Sequence, residues 1–272
     1  MQELFLKYRH STICYRRFGE GPRYLLCFHG YGEQASAFDF LENHIGSQYT
    51  VFAIDLPFHG KTEWKEGLDI NKSDLLSLAD ACMGEPNRRF SLMGFSLGGR
   101  IALSVFEAAS HRVEQLVLLA SDGLKVNFWY WLATQTWMGN RFFALTMKKP
   151  GWFMGMLKLM NRMHLINASI FKFVDHYIGN KEVREQLYTR WTAFRKIKST
   201  RKNLRTLIQQ HQTPVHLVYG KHDRIILPNG GKKLQKGIEE YCSLDIIASG
   251  HQVLHGKHAI DILKPLKGHN LD

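Results

Sequence analysis

Short apolar runs alternate with helix-forming stretches along most of the chain. The apolar runs predict strands, which are expected near residues 12–18, 23–28, 50–55, 89–95, 114–120, 214–219 and 243–248. The stretches between them predict helices over residues 34–46, 71–83, 97–109, 228–238 and 251–266. Strands that are apolar along their length and alternate with helices are typical of a mostly parallel sheet covered on both faces. The pattern therefore predicts an α/β fold, and 272 residues suffice for one such core with an insertion.

One long segment breaks this alternation. About ninety residues separate the strand that ends near Ala120 from the strand that begins near Pro214, and they have helical composition with few helix breakers. We therefore predict a core domain made of residues 1–122 and 210–272, with a helical insertion at residues 123–209.

The predicted insertion carries the basic charge of the protein. Residues 125–208 hold 16 Lys and Arg against 3 Asp and Glu, whereas the remainder holds 20 against 21. The same segment contains five of the six Trp and six of the nine Met. We expect these side chains to line an apolar pocket or to pack the segment's own interior. The cations have three interpretations: a solvated basic face, a weak contact with an anionic membrane surface, or an anionic substrate.

Several classes of protein are not expected from this composition. Nucleic acid is not an expected partner, because no binding-module signature accompanies the basic, aromatic stretch at residues 190–205. No apolar stretch reaches the length of a membrane-spanning helix, and the charged residues 1–10 do not resemble a secretory signal. The cysteines lack metal-ligand spacing and are expected to be reduced core thiols; they are Cys14, Cys27, Cys82 and Cys242. We therefore expect a cytoplasmic protein without a bound metal, and the sequence does not indicate its oligomeric state.

The most informative motif is Gly94-Phe95-Ser96-Leu97-Gly98, which stands between an apolar run and a helix-forming stretch. This is the G-x-S-x-G pattern of a nucleophile elbow, in which a sharp strand-to-helix turn lifts the serine hydroxyl above the sheet. Glycine is needed on both sides because the residues two positions from the serine approach too closely to carry side chains. The pattern predicts Ser96 as a nucleophile and the N–H of Leu97 as a donor aimed at the same point.

A second motif, His29-Gly30-Tyr31-Gly32, follows the apolar run that ends at Phe28. A His-Gly pair at a strand end is where the second donor of an oxyanion hole is expected. The N–H of Tyr31 would then lie beside that of Leu97. The alternative interpretation is that the two glycines only form a turn.

Two later strand ends carry an acid and a histidine. Asp223 follows the run at 214–219, and His251 follows the run at 243–248. An acid at the carboxyl end of a strand can reach a histidine ring that lies over the sheet edge, so this pair is the predicted acid and base. Asp122 is an alternative acid because it follows the strand at 114–120, although Asp122-Gly123 is also an ordinary turn signal.

Together these blocks resemble the α/β-hydrolase superfamily, and the resemblance covers most of the chain. The order Ser96, Asp223, His251 is the order of nucleophile, acid and base in that fold. The matching segments are His29-Gly30-Tyr31-Gly32, Asp55 to Gly60, Gly94 to Gly99, Tyr219 to Asp223, and Gly250-His251. In the second of these segments the family often has glycine before the His-Gly pair, where this chain has Phe58.

The resemblance implies a serine hydrolase whose helical insertion forms a cap over the catalytic serine. It implies a small-molecule ester or related acyl substrate, and no organic cofactor or metal. Other activities on the same triad remain alternatives: carbon–carbon bond hydrolase, thioesterase, acyltransferase and cofactor-free haloperoxidase. A ligand receptor without catalysis is a further alternative, since the fold does not determine the substrate. Among the other histidines, we expect His29 and His59 to stabilise loops.

Overall fold

The computed structural model describes residues 1–124, 128–163, 165, 171 and 174–266. Its strands are β1 Gln2–Tyr8, β2 Ser11–Phe18, β3 Arg23–Phe28, β4 Tyr49–Ile54, β5 Phe90–Phe95, β6 Val113–Leu119, β7 Val215–Gly220 and β8 Cys242–Ile247. Within the described residues they form one eight-stranded sheet in the order β1-β2-β4-β3-β5-β6-β7-β8. β2 pairs antiparallel with β1 and with β4, and all other neighbours are parallel. The predicted mostly parallel α/β fold is confirmed.

Helices form most of the connections between strands. The α-helices are α1 Glu42–Ile45, α2 Lys72–Met83, α3 Leu97–Ala109, α4 Phe128–Gln135, α5 Trp137–Lys148, α6 Gly151–Arg162, α7 Lys181–Ala193, α8 Arg201–His211, α9 Asn229–Gln235 and α10 Ala259–Leu263. Shorter elements are the 3-10 helices Ala35–Leu41, Ser110–Arg112 and Gly256–His258, and a π-helical turn at Asp175–Gly179. Local chemistry sets the ends of α2. Asn71 and Asp74 form a reciprocal capping box at its start, and Gly84 ends it in the left-handed region at φ 71°.

Three elements differ from the sequence prediction. The strand β1 was not predicted, because its charged, alternating residues pair only along the sheet edge and are mostly exposed. The predicted helix at residues 34–46 is a 3-10 helix followed by the single turn α1. The predicted helix at residues 251–266 is wrong in its first half. Val253 and Leu254 are buried in a loop, and helical structure begins only at Gly256.

The core lies on both faces of the sheet. The strands β4, β5 and β7 are buried at every position, as expected for strands covered by helices on both sides. The four cysteines are unpaired and buried, and burial raises the pKa of the Cys82 thiol to about 12. These thiols therefore act as small apolar core groups.

The chain divides into two compact units. The first comprises Met1–Glu66, Ile70–Lys125 and Ile197–Asp272, and the second comprises Gly67–Asp69 and Val126–Lys196. The second unit thus ends before residue 209, where the sequence analysis placed the end of the insertion. The reason is α8, whose Leu204 and Ile208 are fully buried and whose Arg205 Nε donates to the carbonyl oxygen of Leu234 in the first unit.

The second unit has a small interior of its own. Phe143 packs against Trp191 at 5.8 Å between ring centroids, and Arg184 Nε donates to the carbonyl oxygen of Met147 at 2.9 Å. Other aromatic and methionine side chains of this unit are exposed, so the sequence expectation of an interior position does not hold for all of them. Among the described helices, none is sufficiently long and apolar to cross a bilayer.

Candidate active site

Ser96 occupies a sharp turn between β5 and α3. Its φ of 50° and ψ of −114° lie outside the ordinary regions for a residue with a side chain. The chain can turn so tightly only because Gly94 and Gly98, two positions before and after Ser96, lack side chains. A Cβ on Gly94 would overlap the carbonyl oxygen of Gly98, and a Cβ on Gly98 would overlap the carbonyl oxygen of Phe28. The spacing of the two glycines is therefore a packing requirement of the turn.

The structure brings Ser96, His251 and Asp223 into one chain of contacts. The Nε2 atom of His251 lies 3.1 Å from the Oγ of Ser96, and its Nδ1 atom lies 2.8 Å from the Oδ2 of Asp223. The Asp223 side chain is fully buried, whereas the His251 side chain is 21% exposed. The ring of Phe95, the residue before the serine, packs against the imidazole at 5.3 Å. In such an arrangement the imidazole can accept the proton of the serine hydroxyl while the carboxylate orients the ring.

Backbone groups hold the Asp223 carboxylate in place. Its Oδ1 atom accepts the N–H groups of Ile225 at 2.7 Å and Ile226 at 2.9 Å. The other oxygen is therefore directed to His251, and the carboxylate cannot rotate without losing these bonds. The loops of the acid and the base are also tied together, because the N–H of His222 donates to the carbonyl oxygen of Ser249.

Asp122, the alternative acid, has a different position. Its carboxylate forms an ion pair with Arg100, and its Oδ1 atom accepts the N–H of Gly123 at 2.7 Å. Its backbone N–H donates to the carbonyl oxygen of Ser96 at 2.9 Å. Asp122 therefore supports the turn at the serine, and the acid that contacts His251 is Asp223.

The peptide between Ser96 and Leu97 is fixed by two donors. The carbonyl oxygen of Ser96 accepts the N–H of Gly99 at 3.0 Å and that of Asp122 at 2.9 Å. In a trans peptide the C=O and N–H point in opposite directions, so these bonds also set the direction of the Leu97 N–H. Leu97 is the first residue of α3, and the first N–H groups of a helix have no acceptor within it.

Tyr31 lies in a β-turn after β3. The N–H of Glu33 donates to the carbonyl oxygen of Gly30 at 3.2 Å, and Gly32 has a φ of 76°, which favours glycine at this turn position. The carboxylate of Glu33 accepts the N–H of Gly30 at 3.1 Å and the Nε2 group of Gln252 at 2.8 Å. Glu33 therefore links the turn of Tyr31 to the residue that follows His251. The sequence analysis did not identify Glu33 or Gln252, because their link joins positions that are distant in the chain.

The rings of His29 and His59 contact backbone groups of their own loops. The N–H of Leu56 donates to His29 Nε2 at 3.0 Å, so the ring proton is on Nδ1, which donates to the carbonyl oxygen of Gly30 at 2.8 Å. The Nδ1 of His59 lies 2.9 Å from the carbonyl oxygen of Pro57. Phe58 has a φ of 64°, a conformation that favours glycine. This geometry explains why glycine suits the position at which this chain departs from the family pattern.

The fold and the arrangement of these residues define the class of the protein, which is an α/β-hydrolase. A family model described as serine aminopeptidase, S33, matches residues 21–257, and the chain belongs to this hydrolase family. It is 25% identical to the uncharacterized hydrolase YugF of Bacillus subtilis over 254 residues, which cover 90% of this chain and 91% of the relative. It is 28% identical to the pimeloyl-[acyl-carrier protein] methyl ester esterase of Nitrosomonas europaea, over 78% of this chain and 81% of the relative.

The fold is also similar to that of solved hydrolases. One is a thermophilic esterase from Thermogutta terrifontis, which superposes with a TM-score of 0.66 at 15% identity and covers 98% of each chain. At this identity the similarity concerns the fold alone.

Proposed function

We propose that the protein is a serine hydrolase that cleaves a carboxylic ester or a related acyl compound, with Ser96 as nucleophile, His251 as base and Asp223 as orienting acid. The observation that carries this proposal is the continuous contact from Asp223 Oδ2 through the imidazole to Ser96 Oγ, with distances of 2.8 and 3.1 Å. The esterase activity in the name of the Nitrosomonas relative supports an ester as the substrate.

In the first half of the reaction, Ser96 Oγ attacks the carbonyl carbon of the ester while its proton passes to Nε2 of His251. Asp223 keeps the proton of the ring on Nδ1, which leaves Nε2 free to accept this second proton. The N–H groups of Leu97 and Tyr31 stabilise the oxyanion of the tetrahedral intermediate. His251 then donates the proton to the leaving alcohol as the carbon–oxygen bond breaks, and an acyl-enzyme remains.

In the second half, water takes the place of the alcohol. His251 removes a proton from the water as the water oxygen attacks the acyl carbon. It later returns that proton to Ser96 Oγ when the carboxylic acid product leaves. The two halves restore every residue to its starting state. The chemistry therefore needs no group beyond the side chains and backbone donors named above.

The proposal is tested by covalent labelling and ester turnover. A fluorophosphonate should add one equivalent to the native protein at Ser96, and p-nitrophenyl esters should be hydrolysed. Ser96→Ala should abolish both signals. Ser104→Ala is the matched control, because Ser104 is a buried serine on α3, the helix that follows the turn at Ser96, and this variant should retain both. Labelling at another serine, or turnover that survives in Ser96→Ala, would show that the assignment is wrong.

A further inference from the structure

Two helices of the second unit expose large apolar side chains along one face. In α5 the exposed positions follow helical spacing and include Trp137, Met138 and Phe142, of which Trp137 is 73% and Met138 75% exposed. In α6 the exposed positions include Trp152, Met156 and Leu159. An exposed aromatic or methionine is costly to hydrate, and several on one face are unusual for a surface without a partner.

The two exposed faces are continuous. The rings of Phe142 and Trp152 are in edge-to-face contact, with 4.8 Å between their centroids. We call this surface the α5–α6 face; it consists of Trp137, Met138, Phe142, Trp152, Met156 and Leu159. The opposite sides of the same helices form the interior of the unit, where Phe143, Met147 and Leu157 are buried. The exposed face is therefore additional to the residues that hold the unit together.

The charged side chains of α5, of α6 and of the turn between them are all positive. Residues 123–174 contain no Asp or Glu, so no acidic side chain of this stretch offsets its cations. The guanidinium of Arg141 lies over the ring of Trp137 at 5.0 Å. Further exposed cations stand on the same two helices or between them: Lys148, Lys149, Lys158 and Arg162.

The combination of exposed apolar side chains and neighbouring cations limits the kind of partner that this face can bind. A second copy of the chain would bring two basic faces together, which is unfavourable. Exposed tryptophan, phenylalanine and leucine beside lysine and arginine on amphipathic helices are typical of helices that lie in the membrane interface. The apolar side chains enter the boundary between headgroups and acyl chains, and the cations remain near the lipid phosphates.

We propose that the α5–α6 face docks on the surface of an anionic phospholipid bilayer. The aromatic and methionine side chains insert at the headgroup boundary, and the neighbouring lysines and arginines contact the headgroup phosphates. This docking does not depend on the chemistry proposed for Ser96.

The test is co-sedimentation of the full chain with phosphatidylcholine vesicles that contain or lack phosphatidylserine. Binding should require phosphatidylserine and should weaken as salt is raised. Trp137→Gln should lower the partition coefficient at least tenfold, in line with the loss of one inserted large side chain. Lys158→Gln should lower it about fivefold, because one cation near the surface is removed.

Two control variants distinguish binding through the α5–α6 face from nonspecific adsorption of the protein to vesicles. Ile260→Gln removes a side chain that is 85% exposed in the first unit, and this variant should bind vesicles like the wild type. Ser96→Ala should also bind normally, so a failure of the catalytic proposal leaves this test intact. Equal partition onto neutral vesicles, or unchanged binding of both Trp137→Gln and Lys158→Gln, would overturn the proposal. So would a dimer that Trp137→Gln dissociates, since the partner would then be a second copy of the chain.

Discussion

Replacing Asp223 by asparagine tests the geometry of the base directly. The Oδ1 atom of Asp223 accepts two backbone N–H groups, from Ile225 and Ile226. In the variant the amide oxygen must take this position, because an NH2 group cannot accept hydrogen bonds from N–H donors. The NH2 group then faces Nδ1 of His251. A donor at that point forces the ring proton onto Nε2, and in this tautomer the imidazole cannot accept the proton of Ser96.

The expected loss is large. The corresponding substitution in a known serine protease lowers kcat by about 10⁴, because it produces the wrong tautomer while leaving the geometry intact. This factor equals roughly 5.5 kcal/mol of transition-state stabilisation. The N–H groups of Ile225 and Ile226 would hold the asparagine amide in the orientation that produces the wrong tautomer here. We therefore expect a loss of kcat of that order, with KM changed much less.

The assay is steady-state hydrolysis of a p-nitrophenyl ester, combined with nitrogen NMR of the His251 tautomer. Asp122→Asn is the matched control. It removes a charge next to Arg100 but keeps the backbone N–H that donates to Ser96, so activity should fall less than about tenfold. If Asp223→Asn retained most activity while Asp122→Asn lost it, the acid role would belong to Asp122. The reasoning from hydrogen-bond geometry would then be refuted.

Three further predictions concern packing, backbone conformation and the substrate. Gly98→Ala should lower the free energy of unfolding by about 3 kcal/mol in urea titrations, because its Cβ would overlap the carbonyl oxygen of Phe28. Its control is Gly155→Ala, at a helical glycine with open space around its Cβ position, which should instead raise the free energy of unfolding by up to about 1 kcal/mol. Gln212→Gly should stabilise by about 1 kcal/mol, because Gln212 has a φ of 50° at the end of α8. In p-nitrophenyl esters, kcat/KM should rise about fourfold for each added methylene until the site is full.

Each of these predictions has an opposing result. Equal stability of Gly98→Ala and the wild type would mean that the elbow can relax around a side chain. Gln210→Gly, two residues earlier at an exposed position inside α8, should destabilise by about 1 kcal/mol, and a gain there would contradict the conformational argument. A preference for acetyl esters would indicate that the apolar residues of the protein do not form an acyl-binding site.

The amino-acid sequence by itself determined the parts of this protein that depend on neighbouring residues. The apolar runs predicted β2 to β8 because strands buried in a mostly parallel sheet are apolar along most of their length. The glycines around Ser96 predicted the elbow because their spacing is a local pattern, and the close approach that requires Gly94 is to Gly98 in the same turn. The placement of Ser96, Asp223 and His251 after the ends of β5, β7 and β8 followed from the same local patterns.

Tertiary structure decided what depends on residues that are distant in the chain. Asp122 and Asp223 follow neighbouring strands, so the sequence predicted Asp223 but left Asp122 as an alternative, and the position of the His251 ring distinguishes the two carboxylates. The link from Glu33 to Gln252 likewise joins residues 219 positions apart. The exposure of Trp137 depends on which side of α5 packs inside its unit. Composition cannot determine this, because an apolar side chain is equally suited to an interior and to a lipid surface.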